Sequence, residues 1–158
     1  MNLTRIFNLL LLFAMVAVSS CRYDDQTYTC HGDECYCGDR SNCFMDCGSV
    51  DGCNVDCVAA DACDSICSEN CAVTCHSVSA CEHECGAFCE LDCNSVSSCV
   101  GRIGPDSRAT CSNFSSCDIT CAASCRVDCW GCSVTCLDGA PPVACPGGGA
   151  FVCGDTPC

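Results

Sequence analysis

The sequence predicts an all-β protein, a disulfide-rich parallel β-helix built as a short-coil solenoid of about 18 residues per coil with irregular caps. Three observations carry this reading. A unit of 18 residues repeats without slippage as CDSICSENCAVTCHSVSA (63–80), CEHECGAFCELDCNSVSS (81–98) and CVGRIGPDSRATCSNFSS (99–116), and a further unit opens at Cys117. A fixed period of this length marks stacked structural units, each in contact with its neighbours. Cysteine makes up 27 of 158 residues, which places the chain among disulfide scaffolds, where cross-links supply what burial cannot. Cys-x-Val-x-Cys segments, at Cys53–Cys57, Cys71–Cys75, Cys125–Cys129 and Cys132–Cys136, with Leu91 at the centre of Cys89–Cys93, alternate with period two, the mark of a strand with one face turned inward.

The formal charge is −14, and the six cations are all arginine. A phosphate-binding surface needs clustered cations, so no nucleic-acid partner is expected. An anionic membrane face repels the same surface, and the acidity is read as keeping a rigid protein soluble.

Residues 1–20 read as a signal peptide. Arg5 supplies the positive start, and Ile6 to Val18 form an apolar run of export-signal length. The run ends in Val18-Ser19-Ser20-Cys21, which resembles the lipobox of bacterial lipoproteins. That resemblance implies a lipid on Cys21, a membrane partner held through that anchor, and, with Arg22 rather than aspartate next, the outer membrane or cell surface. An ordinary cleavable signal, and hence a secreted protein, is the alternative. Removing Cys21 from 27 leaves 26 cysteines, an even number that can all pair. Either route ends in an oxidising compartment, where disulfides persist.

Residues 21–42 are polar and irregular in pattern and are expected to form the lipidated N-terminus and an N-terminal cap. The repeats occupy 43–136. Their first coil, Cys43 to Ala62, is 20 residues long, with two extra residues between Cys47 and Cys53. After Leu137 the pattern stops, and Pro141-Pro142 and Gly147-Gly148-Gly149 mark 137–158 as a Gly/Pro-rich C-terminal cap. Stacking coil on coil gives one apolar column of Val55, Val73, Leu91, Ala109 and Val127, and a second of Ala60, Val78, Val96 and Phe114.

The repeat also bears on connectivity. The coil 99–116 replaces the second and third cysteines together, with Ile103 and Ser107, while keeping Cys99 and Cys111. Losing two at once leaves no stray thiol if they were partners. Second-to-third pairs are therefore expected at Cys47–Cys53, Cys67–Cys71, Cys85–Cys89 and Cys121–Cys125. First-to-fourth pairs would then be Cys43–Cys57, Cys63–Cys75, Cys81–Cys93, Cys99–Cys111 and Cys117–Cys129. An inter-coil ladder satisfies the same parity.

Metallothioneins resemble this chain in cysteine content, but they are rich in Cys-x-Cys and lysine and lack aromatics. Here Cys-x-Cys occurs once, at Cys35-Tyr-Cys37, and Phe, Tyr and Trp are all present. Cys129-Trp-Gly-Cys132 resembles the redox motif of thioredoxin-like proteins without the α/β context that motif needs. The histidines, His31, His76 and His83, sit in no hydrolase or metalloenzyme motif. His83, within Cys-Glu-His-Glu-Cys, is read as partly exposed and tuned by Glu82 and Glu84, in a column with Met45, Ser65, Gly101 and Ile119. Asp56, Thr74, Asp92, Thr110 and Asp128 form an outward ladder whose aspartates stand roughly 10 Å apart, too sparse for one calcium site. Beetle antifreeze proteins resemble the chain in plan, but it has no Thr-x-Thr ranks. Asn113-Phe-Ser115 is a glycosylation sequon, meaningful only in a eukaryotic source.

The sequence thus points to an exported, lipid-anchored, cysteine-rich surface protein with a structural or binding role. No catalytic, metal or cofactor-binding residues stand out, and it is not read as an enzyme. The alternatives are a secreted binding module for carbohydrate, a divalent ion or a protein partner, and a metal–thiolate binding protein.

Overall fold

A computed structural model describes residues 22–24, 27–30, 34–38, 42–48 and 51–158. Cys21 and the export signal lie outside the described residues. No helix occurs among those described. The strands are β1 (Arg22–Asp24), β2 (Thr27–Cys30), β3 (Glu34–Gly38), β4 (Asn42–Asp46), β5 (Asn54–Val58), β6 (Ala62–Cys67), β7 (Ala72–His76) and β8 (Ala80–Cys85). They continue as β9 (Glu90–Asn94), β10 (Ser98–Ile103), β11 (Arg108–Ser112), β12 (Ser116–Cys121), β13 (Cys125–Cys129), β14 (Ser133–Cys136), β15 (Val143–Ala144) and β16 (Ala150–Cys153).

Each coil is flattened and gives one strand to each of two facing sheets. The first sheet runs β1-β2-β4-β6-β8-β10-β12-β14, and the second β15-β16-β13-β11-β9-β7-β5-β3. Pairing between coils is parallel and in register with the repeat: Cys63, Cys81, Cys99 and Cys117 are successive partners, as are Cys57, Cys75, Cys93, Cys111 and Cys129. Cys43 partners Cys63, so the two extra residues of the first coil are absorbed in the corner between Cys47 and Cys53. Antiparallel strands end the stack: β1 lies on β2, β16 on β13 and β15 on β16. The stretch 22–42, expected to be irregular, thus carries three strands, because β2 and β3 take up the register of the first coil.

The corners repeat as faithfully as the strands. One column of left-handed residues is Ala59, Ser77, Ser95, Asn113 and Gly131, and the other is Gly52, Asn70, Phe88, Asp106 and Ser124. A non-glycine residue in this conformation costs roughly 1–2 kcal/mol. Hydrogen bonds between stacked corners offset that cost, as from Ser77 N–H to the Asn94 carbonyl (3.2 Å) and from Phe88 N–H to the Pro105 carbonyl (2.9 Å).

Alternation turns one face of each strand from β3 to β13 into the core. Val55, Val73, Leu91, Ala109 and Val127 are buried in the second sheet, facing Met45, Ser65, His83, Gly101 and Ile119 of the first. Ala60, Val78 and Val96 are buried at the corner, and Phe114 is half-buried there. Where the coil 99–116 lacks two cysteines, Ile103 fills one place, and buried Ser107 takes the other, accepting a 2.9 Å hydrogen bond from Cys89 N–H.

Bridges staple both corners. At one, the fourth cysteine of a coil joins the first of the next: Cys37–Cys43, Cys57–Cys63, Cys75–Cys81, Cys93–Cys99 and Cys111–Cys117, with Cα atoms 6.3–6.7 Å apart. This corrects the expected pairs Cys43–Cys57, Cys63–Cys75, Cys81–Cys93, Cys99–Cys111 and Cys117–Cys129. The fourth cysteine ends the strand that enters the corner and the next first cysteine opens the strand that leaves it, so the two face each other across the turn. Both pairings draw on one column of sulfurs, and Cys99 and Cys111 Sγ are still only 3.9 Å apart. At the other corner Cys47–Cys53, Cys85–Cys89 and Cys121–Cys125 are joined, matching the second-to-third pattern. Cys129–Cys132 closes a tight turn, and Cys136–Cys153 and Cys145–Cys158 tie down the C-terminal segment.

Candidate functional site

Cys67 and Cys71 depart from the pattern. The structure leaves both as free, buried thiols instead of the expected Cys67–Cys71 bridge. The left-handed Asn70 turns the chain between them, and the two thiols lie in hydrogen-bond contact with each other without a bridge. Cys67 Sγ lies 3.4 Å from Cys47 Sγ in the preceding coil, while Cys71 Sγ lies 3.6 Å from the Glu69 carbonyl. Burial first, and then the neighbouring Cys71 and Asp46, push the Cys67 thiol up, so it stays protonated and inert.

The core sulfurs form groups of three within 4.8 Å, among them Cys57, Cys63 and Cys75, and Cys71, Cys85 and Cys89. In each of these two groups one pair is already bridged, Cys57–Cys63 and Cys85–Cys89. A bridged sulfur is no thiolate, so metal ligation there requires reduction first.

His83 is buried, not partly exposed as its flanking glutamates imply. Glu82 and Glu84 point outward, and strand alternation sends His83 into the core, where its Nδ1 lies 2.8 Å from Ser65 Oγ. Its Nε2 has no hydrogen-bond partner among the described residues. Burial lowers its pKa from 6.5 to about 4, against an opposing contribution from Ser65, and the ring is neutral at physiological pH.

The aspartate ladder lies on the outer face of the second sheet in the expected register, with Asp56 opposite Thr74, Thr74 opposite Asp92, Asp92 opposite Thr110 and Thr110 opposite Asp128. Asp128 is clamped by two arginines: Arg108 Nη2 lies 2.6 Å away and Arg126 Nη2 2.9 Å away. Burial raises this carboxyl, but the hydrogen bonds from Arg126 and Arg108 outweigh it and hold it below the usual carboxylate range. Its charge is met by the two guanidinium groups.

Concave surfaces among the described residues include one of about 360 Å³ at Glu34, Tyr36, Asn54 and Asp56. A trough of about 430 Å³ runs along the outer face of the first sheet, lined by Phe44, Asp64, Ile66, Glu82, Glu84 and Arg102 among others. A cleft of about 380 Å³ lies where Trp130 stands over the corner of the preceding coil. Trp130 follows Cys129, the register partner of Cys111, and lines the cleft together with Ser112. It is 76 % exposed, the most exposed large apolar side chain among the described residues. The sequence signal for it was present, a lone tryptophan between two cysteines, but its placement depends on a cap whose path no periodicity reveals.

Compared with models of known protein families, with curated proteins and with solved structures, the chain matches none.

Proposed function

We propose that this chain is an exported, non-catalytic surface protein, held to the membrane by a lipid on Cys21 and serving as a rigid structural or binding element. One observation supports the reading above others: bridges line both corners of the coil, so covalent closure stands in for much of a conventional core. Such a protein holds its fold where thiols oxidise and stay oxidised. Five coils of uniform register make a stiff rod that displays its caps and flat faces at a distance from the anchor. The many carboxylates on those faces keep it soluble and clear of anionic surfaces.

The test is the intact mass of protein purified from its source without reductant, before and after reduction and alkylation. An oxidised chain that begins at Cys21 and carries a lipid-sized addition is the expected result. Free thiols throughout, with bound metal and no lipid, would overturn it. A second reading, a secreted binding module, draws support from the trough on the first sheet, where apolar Phe44 and Ile66 lie beside Asp64, Glu82 and Glu84. A mature chain without lipid, recovered from the medium, would favour it.

A further inference from the structure

We propose that Trp130 and the corner turn at 111–114 form a subsite for the flat face of a neutral carbohydrate ring, an inference that rests on the binding role proposed above.

The indole lies against a glycine run. The pro-Cβ directions of Gly148 and Gly149 both point at it, at 3.0 Å from Cη2 and 2.6 Å from Nε1, so only glycine at these positions lets the ring lie against the backbone. Cys129 N–H donates to the Gly149 carbonyl at 2.9 Å, tying the glycine run to the residue before Trp130. The Cys129–Cys132 and Cys145–Cys158 bridges close the turns on either side. One face of the ring is thus backed by main chain, which limits the rotamer freedom lost when a ligand stacks on the other.

The lining selects the ligand. Ser112, Asn113 and Phe114 face Trp130 across the cleft, and no charged side chain lines it. Asn113 is exposed at the left-handed corner, so its amide can both donate and accept at the rim. A flat apolar face with neutral donors and acceptors beside it complements a sugar ring, whose C–H face stacks while its hydroxyls reach outward. The volume falls in the usual range for small-ligand sites, about 300–1,000 Å³. One indole with one half-buried phenylalanine is far too small for a stable protein interface of about 1,200 Å² or more. Polyanions are repelled by the net charge of −14.

Trp130 is the single tryptophan of the chain, so its fluorescence reads the site directly. The oxidised, full-length mature protein would be titrated with chitotetraose, cellotetraose, mannotetraose and maltotetraose, with tetramethylammonium as a cationic control. A saturable emission change with at least one sugar is expected. The Asn113→Ala variant, which keeps the fluorophore, should bind that sugar about tenfold more weakly, the loss of one to two hydrogen bonds. Calorimetry should show no binding to Trp130→Ala, whose fold is checked by far-UV circular dichroism. Silence towards all four sugars, a response to tetramethylammonium alone, or full affinity in Asn113→Ala would each overturn the assignment. None of these outcomes touches the lipid or the bridges, so failure here leaves the anchored-protein reading to its own test.

Discussion

Ser65 Oγ and His83 Nδ1 meet 2.8 Å apart inside the core, one coil above the other and 18 residues apart in sequence. The contact ties a titratable ring into a column that elsewhere holds Met45, Gly101 and Ile119. The unfolded chain takes up a proton at this ring near pH 6.5, whereas the folded chain does so only near about 4. Between those values the unfolded state binds more protons, so the contribution is complete above pH 6.5 and is lost as the pH falls toward 4. The whole span is worth about 3 kcal/mol, and about 2 kcal/mol is gone by about pH 5. Thermal unfolding without reductant should therefore show a Tm about 5 °C lower at about pH 5 than at about pH 7. His83→Leu should flatten that difference, and an unchanged slope in this variant would place the titrating group elsewhere.

Two glycines, Gly101 in β10 and Gly104 just after it, should differ in what they tolerate. A Cβ at Gly101 would meet Leu91 Cδ2 at 2.8 Å and Ile119 Cδ1 at 2.9 Å, both the tips of flexible side chains. At Gly104 it would overlap the Gly86 carbonyl, which accepts the 2.9 Å hydrogen bond from Gly104 N–H that stacks one coil on the next. Backbone cannot repack as a leucine tip can. Gly101→Ala is expected to cost about 1 kcal/mol and Gly104→Ala about 3 kcal/mol, near the two ends of the overpacking range. Urea unfolding of both variants would check the order.

Bridge mapping separates the two pairings of the corner column. Proteolysis of the oxidised protein followed by mass spectrometry should yield peptides joined through Cys75–Cys81 and Cys93–Cys99. Peptides joined through Cys63–Cys75 or Cys81–Cys93 would restore the within-unit pattern. Each observed bridge at this corner closes a loop six residues apart in sequence and contributes about 2 kcal/mol through the unfolded chain. The Cys136–Cys153 bridge spans 17 residues, and its removal by a double serine substitution should cost about 3 kcal/mol. That loss should appear first as increased proteolysis of the C-terminal cap.

Much of this fold was legible because the repeat writes it several times over. Val73 and Leu91 are core residues for one reason, period-two alternation, and the register follows from their 18-residue offset. The partner of Cys75 was less accessible. Cys63 and Cys81 both lie beside it in the folded coil, and the paired loss of cysteines in 99–116 is silent on which one wins. The glutamates beside His83 suggest exposure in the sequence, while the side of the strand it occupies decides its burial. Trp130 rests on the path of a non-repeating cap, where no column of equivalents exists to compare.

Cys67 and Cys71 offer a final check on how far the bridge pattern extends. Both thiols are buried, which shields them from reagents in solvent, and Cys67 is in addition held protonated by its surroundings. Iodoacetamide added to the folded, unreduced protein at neutral pH should leave both untouched. After unfolding in guanidinium without reductant, each should gain one carbamidomethyl group, because no bridge protects it. Labelling must be brief and end in acid quench, since an unfolded thiol beside former neighbours such as Cys47 can attack a disulfide. Cys67→Ser alone should leave the fold intact but expose a hydroxyl to a sulfur-lined pocket, with a cost of about 1–2 kcal/mol. Two labelled positions at 67 and 71 would establish a corner whose two cysteines stay unbridged. Their absence would show that oxidation closes this corner as it does those of its neighbours at Cys47–Cys53 and Cys85–Cys89.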